Sequence, residues 1–521
     1  MDDPARRVRE FLLDSGFTAD GVLARVGPDA FAALGRGLTV PVRRSLTAGC
    51  RAEGVEDAGE AAAGIPANPD GDPPDQTPAT LDRLIEVFLL TDPIPRQCLP
   101  GDIVDGLVTL GLVRLDGDRL LPLVEMRPYG EPDTDWFLVS DIGPPASPDH
   151  VLGLGGASLT LARITPRREV GRALDLGCGT GVQALHAARH SSRLVATDTN
   201  PRALMMTALS AALSGMPAEQ LDLREGSLFG PVSDERFDLV VSNPPFVISP
   251  SHRFTYRDAG LTGDELSRLV VRGAAAHLAP GGVAAVLGNW LHVSGEQWSE
   301  RVGDWVEGTG VSAWVVQRDT QSAAEYAATW LRDAGIPEGP QFDDAMQQWL
   351  DAFDDQDSTA VGFGWIVLVA APATGRGAAA EPWLLVEDLA HGERLPRGDE
   401  VDRFLTGCQV VERLAVPALL GSPARLANSA TITRTTHICR AGQVAAPPRV
   451  GLAGSVGAGG WRPAVTVPPA LLTALLDPAD APIGERLDAA ALAEGLDPLD
   501  VLGPALVGLR ELVRLGIVRT D

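Results

Sequence analysis

The chain has no lysine: all 43 of its Lys+Arg residues are arginine, set against 69 acids, for a net charge of -26 over 521 residues. That balance disfavours nonspecific binding to nucleic acid or to anionic lipid, though it leaves room for a local basic groove. Cysteine is scarce. Cys50, Cys98, Cys178, Cys408 and Cys439 are scattered, odd in number and without a CxxC pair, which suits reduced thiols in a cytoplasm. His437 and Cys439 are too few and too close together to make a zinc site, and no metal is expected. Long apolar runs are also missing. The longest, such as Val361 to Pro372, fall short of the roughly 18 residues that a membrane span needs. The opening Met1-Asp2-Asp3 leads into no apolar segment, so a secretory signal is not expected.

What is present is an ordinary globular composition, 45% hydrophobic and 21% charged, which excludes wholesale disorder. The length predicts about three or four domains. Residues 1–78 read as short helices, with Val8, Phe11, Leu12 and then Val22, Leu23, Val26 at helical spacing, followed by an acidic Ala/Gly/Pro-rich linker from 52 to 78. Residues 79–148 hold two helices (Leu81 to Leu90, Gly101 to Leu110) and a hairpin turning at Asp116-Gly117, the pattern of a winged helix. A cap packed on the next domain is the preferred role for this module over DNA binding.

From 149 to 372 short apolar strands alternate with helices, which predicts βαβ units and a parallel sheet. Between two late strands, at 311–318 and 361–370, sits an acidic helical insertion, Phe342 to Asp357. Residues 373–521 start strand-rich and finish with helices (Leu471 to Leu476, Ala489 to Ala493, Leu506 to Leu515) before Gly516-Ile517-Val518, a second winged-helix-like module suited to interaction. Arginine is concentrated in two stretches, Arg36, Arg43, Arg44 and Arg51, then Arg413, Arg425, Arg434, Arg440, Arg449 and Arg462.

Two motifs carry chemistry. The first is Asp175-Leu176-Gly177-Cys178-Gly179-Thr180-Gly181, a strand running into a glycine loop that opens a helix. Its glycines let the backbone approach a ligand closely. The GxGxG spacing, with an acid two residues upstream, points away from a dinucleotide pyrophosphate site. Asp198 ends the next strand, where an acid can accept hydrogen bonds from both hydroxyls of a ribose. The second motif is Asn243-Pro244-Pro245-Phe246, straight after the fourth strand. Two prolines remove two backbone donors and stiffen the chain. The Asn243 side-chain oxygen and the Pro244 carbonyl can then grip the two hydrogens of a planar NH2 group, and Phe246 can stack on a flat base or amide.

Together these residues resemble the class I S-adenosylmethionine (SAM)-dependent methyltransferases, in the branch with the (Asn/Asp/Ser)-Pro-Pro-(Tyr/Phe/Trp) motif. That branch includes release-factor glutamine methyltransferases and RNA or DNA amino-methyltransferases, and the resemblance covers about residues 149–372. It implies an α/β fold with a Rossmann-like seven-stranded sheet. It implies SAM as cofactor, with Asp175, Gly177, Cys178, Gly179, Thr180 and Gly181 around its methionine and ribose and Asp198 on the ribose hydroxyls. Ser227 and Leu228 would lie beside the adenine, and Asn243 would border the cofactor while holding the target nitrogen. Arg257-Asp258-Ala259-Gly260-Leu261 with Asp264-Glu265-Leu266 looks like the stretch after the motif in the glutamine branch, whereas Phe246 resembles the rRNA guanine branch. The implied partner is a macromolecular substrate, a protein such as a translation factor or an RNA or DNA, and no membrane. The alternatives are a small-molecule methyltransferase of a biosynthetic pathway, or a SAM-binding regulator that recognises DNA.

Overall fold

The computed structural model describes residues 3–52, 77–131, 134–143, 147–250, 261–373, 381–389, 394–426, 430–434, 450–454 and 465–520. Eight strands form the central sheet: β1 (Val170–Leu176), β2 (Ser191–Asp198), β3 (Leu221–Glu225), β4 (Phe237–Ser242), β5 (Leu278–Val293), β6 (Val311–Ser322), β7 (Ser358–Ala370) and β8 (Leu384–Asp388). Their order across the sheet is β3-β2-β1-β4-β5-β7-β6-β8. Only β7 runs antiparallel to its neighbours, β5 and β6. The strands are apolar on both faces, as a sheet covered on both sides requires. In β1, Leu174 and Leu176 enter one core and Ala173 the other; in β5, Ala284 and Val286 alternate likewise with Val283, Ala285 and Leu287.

Seven helices of this region concern the site: α1 (Gly156–Ile164), α2 (Val182–Ala188), α3 (Pro201–Leu213), α4 (Glu265–His277), α5 (Trp298–Val306), α6 (Ala323–Asp333) and α7 (Pro340–Asp354). The chain leaves β1 toward β2 and β3, then returns through β4 to the other half of the sheet. The strand order therefore reverses between β1 and β4, and the crevice at their carboxyl ends is where such a sheet takes a ligand.

The resemblance implies seven strands; the structure has eight. The sheet continues beyond residue 372, because Leu384–Asp388 pairs in parallel with β6. The helix Gly398–Arg413 then lays Val401, Phe404, Leu405 and Cys408 against Trp314 and Trp365 of the sheet. A short exposed-edge strand of this kind is defined by its neighbour more than by its own five residues.

The N-terminal elements share one core across residue 78. Val8, Leu12, Phe17 and Val22 pack with Leu84, Phe88, Val104, Leu107 and Leu120. The helix–helix–hairpin pattern is present, with strands Ile94–Pro95, Val113–Asp116 and Arg119–Pro122 and a left-handed Gly117 in the turn. The second of its helices, Gly101–Thr109, packs Gly106 against Val8 and exposes Asp102 and Asp105 with no basic residue. That surface repels phosphate.

A hairpin, Glu125–Glu131 with Thr134–Ser140, joins this cap to the central sheet. Its Phe137 and Val139 N–H groups donate to Ser214 Oγ (3.0 Å) and Ser210 Oγ (2.9 Å) on and just past α3. Ala203, Met206 and Leu213 of α3 belong to the cap's core. Trp136 meets the His186 ring edge-on at 4.9 Å, and Tyr129 Oη lies 3.0 Å from His186 Nε2. Burial and the Arg167 charge push the His186 pKa down to about 3, so it is a neutral packing residue.

In the C-terminal module, helices Pro469–Leu476, Ile483–Ala493 and Pro498–Arg514 enclose their own core beside the strand pair Arg425–Leu426 and Val518–Arg519. Buried Arg486 donates to the carbonyls of Pro423, Ala424, Ala474, Asp477 and Ala481. Cys439, His437, His252, residues 257–260 and most of the linker (53–76) lie outside the described residues. Among the described residues no helix is long and apolar enough to cross a membrane, and no group of three or more His, Cys, Asp or Glu is arranged to hold a metal.

Replacing both Ser210 and Ser214 by alanine leaves two buried strand N–H groups without acceptors, at about 1–3 kcal/mol each. Thermal denaturation of the full chain is expected to shift down by several degrees; an unchanged midpoint would show that the two hydroxyls do not hold the hairpin.

Candidate active site

The glycine loop begins where β1 stops. The N–H groups of Gly177 and Cys178 both donate to the Thr197 carbonyl, at 2.8 and 3.0 Å, which fixes the loop to the end of β2. Gly177, Gly179 and Gly181 have φ of +76°, +55° and +82°. Their roles divide. A Cβ on Gly177 or Gly179 would meet nothing within 4 Å, so these two keep an open face toward the crevice. A Cβ on Gly181 would lie 2.9 Å from Thr207 Cγ2, so this glycine lets α2 start close against α3. The Thr207 hydroxyl reaches the Gly179 carbonyl at 3.0 Å and Cys178 Sγ at 3.2 Å. Cys178 and Thr180 are buried, so what they offer a ligand is backbone. Burial, helped by the charges of Asp175 and Asp198, pushes the Cys178 thiol pKa up, which keeps it protonated and unreactive.

Asp198 caps β2. Its Oδ2 accepts from the Gly179 N–H (3.1 Å) and its Oδ1 from the Asn200 N–H (2.9 Å), each oxygen keeping a further acceptor site. Burial raises its pKa against those two donors. The Gly226 N–H donates to the Asp198 carbonyl at 2.9 Å, bringing the turn at Ser227 and Leu228 beside it. Ser227 is exposed, while Leu228, in the left-handed region at φ +46°, packs on the core next to Phe229.

Across the switch point, Ser242 Oγ donates to the Leu176 carbonyl at 2.8 Å and ties the ends of β4 and β1 together. Asn243 follows. Its Nδ2 donates to Ser158 Oγ of α1 at 3.4 Å, while its Oδ1 is buried and has no partner among the described residues. An acceptor buried without a donor carries the full cost of desolvation, and Asn243 Oδ1 is one of the described buried atoms in that position. Pro244 is buried, Pro245 and Phe246 are half-buried, and Phe246 packs between two core clusters. The Ile248 N–H donates to Tyr326 Oη of α6 at 2.9 Å. Just past the corner is a cavity of about 310 Å³ lined by Ile248, Ser249, Leu261, Trp349, Phe353 and Asp355, among other residues, with no basic group on its described wall.

The sequence-derived site residues thus converge on one sheet edge. Ser158, Thr207 and Tyr326 come to it from outside the motifs, and no local sequence signal marks them.

Residues 155–291 match the family described as methyltransferase small domain, and residues 14–123 match a domain of unknown function (DUF7059). A release factor glutamine methyltransferase of Xylella fastidiosa is 34% identical over 131 residues, covering 23% of this chain and 47% of that one. The ribosomal protein uL3 glutamine methyltransferase of Bradyrhizobium diazoefficiens is 31% identical, with coverage of 29% and 52%. The ribosomal RNA small subunit methyltransferase C of Escherichia coli is 32% identical, with coverage of 26% and 35%. The chain therefore spans about half the length of these relatives, or less. A solved 16S rRNA N2 G1207 methyltransferase of T. thermophilus, in complex with AdoMet and guanosine, is 16% identical, with a TM-score of 0.28 and coverage of 52% of this chain and 61% of that one.

Asp175 departs from the role that the resemblance implies. It is 1% exposed beneath the loop, and neither carboxylate oxygen has a partner in hydrogen-bond geometry. Burial pushes its pKa up to about 7, the Asp198 charge adds to this, and the nearby Ala184 amide only partly opposes it. A carboxyl whose folded pKa lies above its unfolded value binds the extra proton in the native state, so the contribution of Asp175 to stability falls as pH rises from about 4 to 7. Asp175→Asn is expected to flatten that slope in thermal denaturation across pH 4–8; an unchanged slope would place the titration elsewhere. The buried carboxyl lies under the glycine loop within residues 155–291, the segment that matches the methyltransferase small domain and that also holds the reversal of strand order.

Proposed function

We propose that the chain is a SAM-dependent N-methyltransferase, which moves a methyl group to a planar NH2 nitrogen of a macromolecule, a protein glutamine amide or the exocyclic amine of an RNA or DNA base. The observation that carries the reading is the buried, unpartnered Oδ1 of Asn243, next to a glycine loop with an open face.

The residues fit the cofactor. Gly177 and Gly179 leave room for a ligand at the loop, and Asp198 can accept from two ribose hydroxyls while it holds Gly179 and Asn200. Ser227 and Leu228 flank the base side of the same crevice, while Cys178, Thr180 and Asp175 act from below the surface. When bound, SAM supplies an electrophilic methyl group on a sulfonium.

The chain's own residues act on the acceptor. An amide or aryl amine nitrogen is a poor nucleophile, because its lone pair is delocalised into the carbonyl or ring. Asn243 Oδ1 and the Pro244 carbonyl, accepting its two N–H bonds, favour rehybridisation and orient the lone pair. As methyl transfer proceeds, positive charge grows on that nitrogen, so these fixed acceptors bind the transition state more tightly than the ground state. Phe246 stacks on the flat acceptor. The methylated nitrogen is acidic enough to lose its proton without a strong general base.

The relatives named above act on release factor, ribosomal protein or rRNA, and a macromolecule is the corresponding acceptor here, in a cytoplasmic setting that suits the scattered thiols.

Tritiated SAM added with this enzyme to lysate of a strain lacking it, fractionated into protein, RNA, DNA and small molecules, is expected to label a macromolecular fraction; label confined to small molecules would overturn the reading. Asn243→Ala is expected to lower methyl transfer by about a hundredfold or more while SAM affinity changes modestly. Turnover near that of the wild type would rule out the two-acceptor grip. Asp198→Ala is expected to weaken SAM binding at least about tenfold by calorimetry, and an unchanged affinity would contradict the ribose assignment.

A further inference from the structure

The double proline that stiffens the acceptor corner also deprives it of two N–H groups, at Pro244 and Pro245, by which a backbone ordinarily anchors itself. The corner is gripped by side chains at its two ends instead. At the near end, Ser158 Oγ takes the Nδ2 hydrogen of Asn243 at 3.4 Å. At the far end, Tyr326 Oη takes the Ile248 N–H at 2.9 Å.

Both grips are themselves held. The Ser158 carbonyl accepts from Gln183 Nε2 at 2.8 Å, and buried Gln183 belongs to α2, the helix that leaves the glycine loop. The amide of Asn243 is thus linked through α1 to the element that carries the cofactor loop. Tyr326 is fully buried, with Trp330, Trp349, Phe353 and Phe363 around its ring at 5.5–6.0 Å between centroids. Its oxygen also accepts from Asn289 Nδ2 of β5 at 3.0 Å, so both lone pairs are used by protein donors. The α6 helix follows residue 291, so this grip is supplied by a part of the chain outside the segment that matches the family.

We propose that Ser158 and Tyr326 are positioning residues of the methyl-transfer site. Ser158 holds the amino end of the Asn243 amide, so that Oδ1 faces the acceptor nitrogen. Tyr326 holds the backbone at Ile248, so that the Pro244 carbonyl cannot drift away from it. The physical need is plain. The terminal torsion of asparagine is soft, and without a partner on Nδ2 the amide turns freely. An acceptor displaced by about an ångström loses most of its effect on the transition state. The proposal rests on the N-methyltransferase reading and adds to it where the preorganisation comes from.

The test uses the full chain as Ser158→Ala, Ser158→Thr, Tyr326→Phe and the Ser158→Ala/Tyr326→Phe double variant, with tritiated SAM and lysate of the deletion strain as the acceptor pool. Ser158→Ala and Tyr326→Phe are each expected to lower the maximal labelling rate about tenfold or more, with SAM affinity within about twofold of wild type. Ser158→Thr, which keeps the hydroxyl, restores most of the rate, and the double variant is slower than either single one. Amide hydrogen exchange at Ile248 rises in Tyr326→Phe. Labelling rates of both single variants within twofold of wild type would overturn the proposal, as would a loss of SAM affinity in step with the rate, since general damage and not misalignment would then be the cause. A wild-type enzyme that labels nothing would count against the methyltransferase reading itself. Exchange at Ile248 still judges the grip in that case, and exchange unaltered by loss of the Tyr326 hydroxyl would overturn it.

Discussion

The crevice depends on the pairing of two strands that do not follow one another in the chain, a parallel ladder that ends at Leu176 and Ser242. Ser242 Oγ donates to the Leu176 carbonyl, joining the last residues of β4 and β1 at the point where the sheet changes direction. The two chains must separate beyond that bond, one into the glycine loop and the other into the double-proline corner. Their divergence is what opens space between Gly177 and Asn243, and the paired ends Leu176 and Ser242 set the separation from which both segments start. A Thr197 carbonyl that accepts from both Gly177 and Cys178 then fixes the loop's outward path.

Each wall of the crevice is rigid for a different reason. The loop wall uses backbone, since glycines at positive φ reach conformations closed to other residues, and Asp198 holds the Gly179 N–H. The corner wall uses proline, which fixes φ but surrenders donors. Rigidity of the second kind is incomplete on its own, and the side chains of Ser158 and Tyr326 supply the missing anchors. A site built this way keeps the Asn243 oxygen desolvated and aimed before any ligand arrives, which is the condition under which a fixed dipole is worth most.

The features legible in the sequence were those written in consecutive residues. The glycine loop, the acid closing β2 and the Asn-Pro-Pro-Phe corner are continuous stretches whose local chemistry announces their conformation, and the alternation of apolar strands with helices announces the parallel sheet. What could not be read depends on partners far away in the chain. Ser158 and Asn243 are 85 positions apart and Ile248 and Tyr326 are 78 apart, and only the folded sheet brings them within bonding distance. The eighth strand is of the same kind, because Leu384–Asp388 is a strand by virtue of β6 lying beside it. Asp175 shows the converse. Its place in the motif suggests a ligand contact, yet β1 buries it under the loop, where it acts through charge.

The accessory parts are bound into the same logic. The cap hairpin rests on α3 through Ser210 and Ser214, and α3 carries Thr207, the residue against which Gly181 packs and to which the Gly179 carbonyl is bonded. The same hairpin also packs Trp136 and Leu138 on Val182 and Leu185 of α2, the helix that leaves the loop, so the cap touches the loop's surroundings through two helices. On the opposite side, α6 carries Tyr326 to the corner and α7 walls the cavity beyond it. The cap thus packs behind the glycine loop and the insertion behind the double-proline corner, so both walls of the crevice are backed by segments that flank residues 155–291. The acidic, base-free helix Gly101–Thr109 and its packing on the first helix fit this role. The apolar face of this module is committed to the cap's core, and the helix that would have to enter a DNA groove carries only acids among its charged residues.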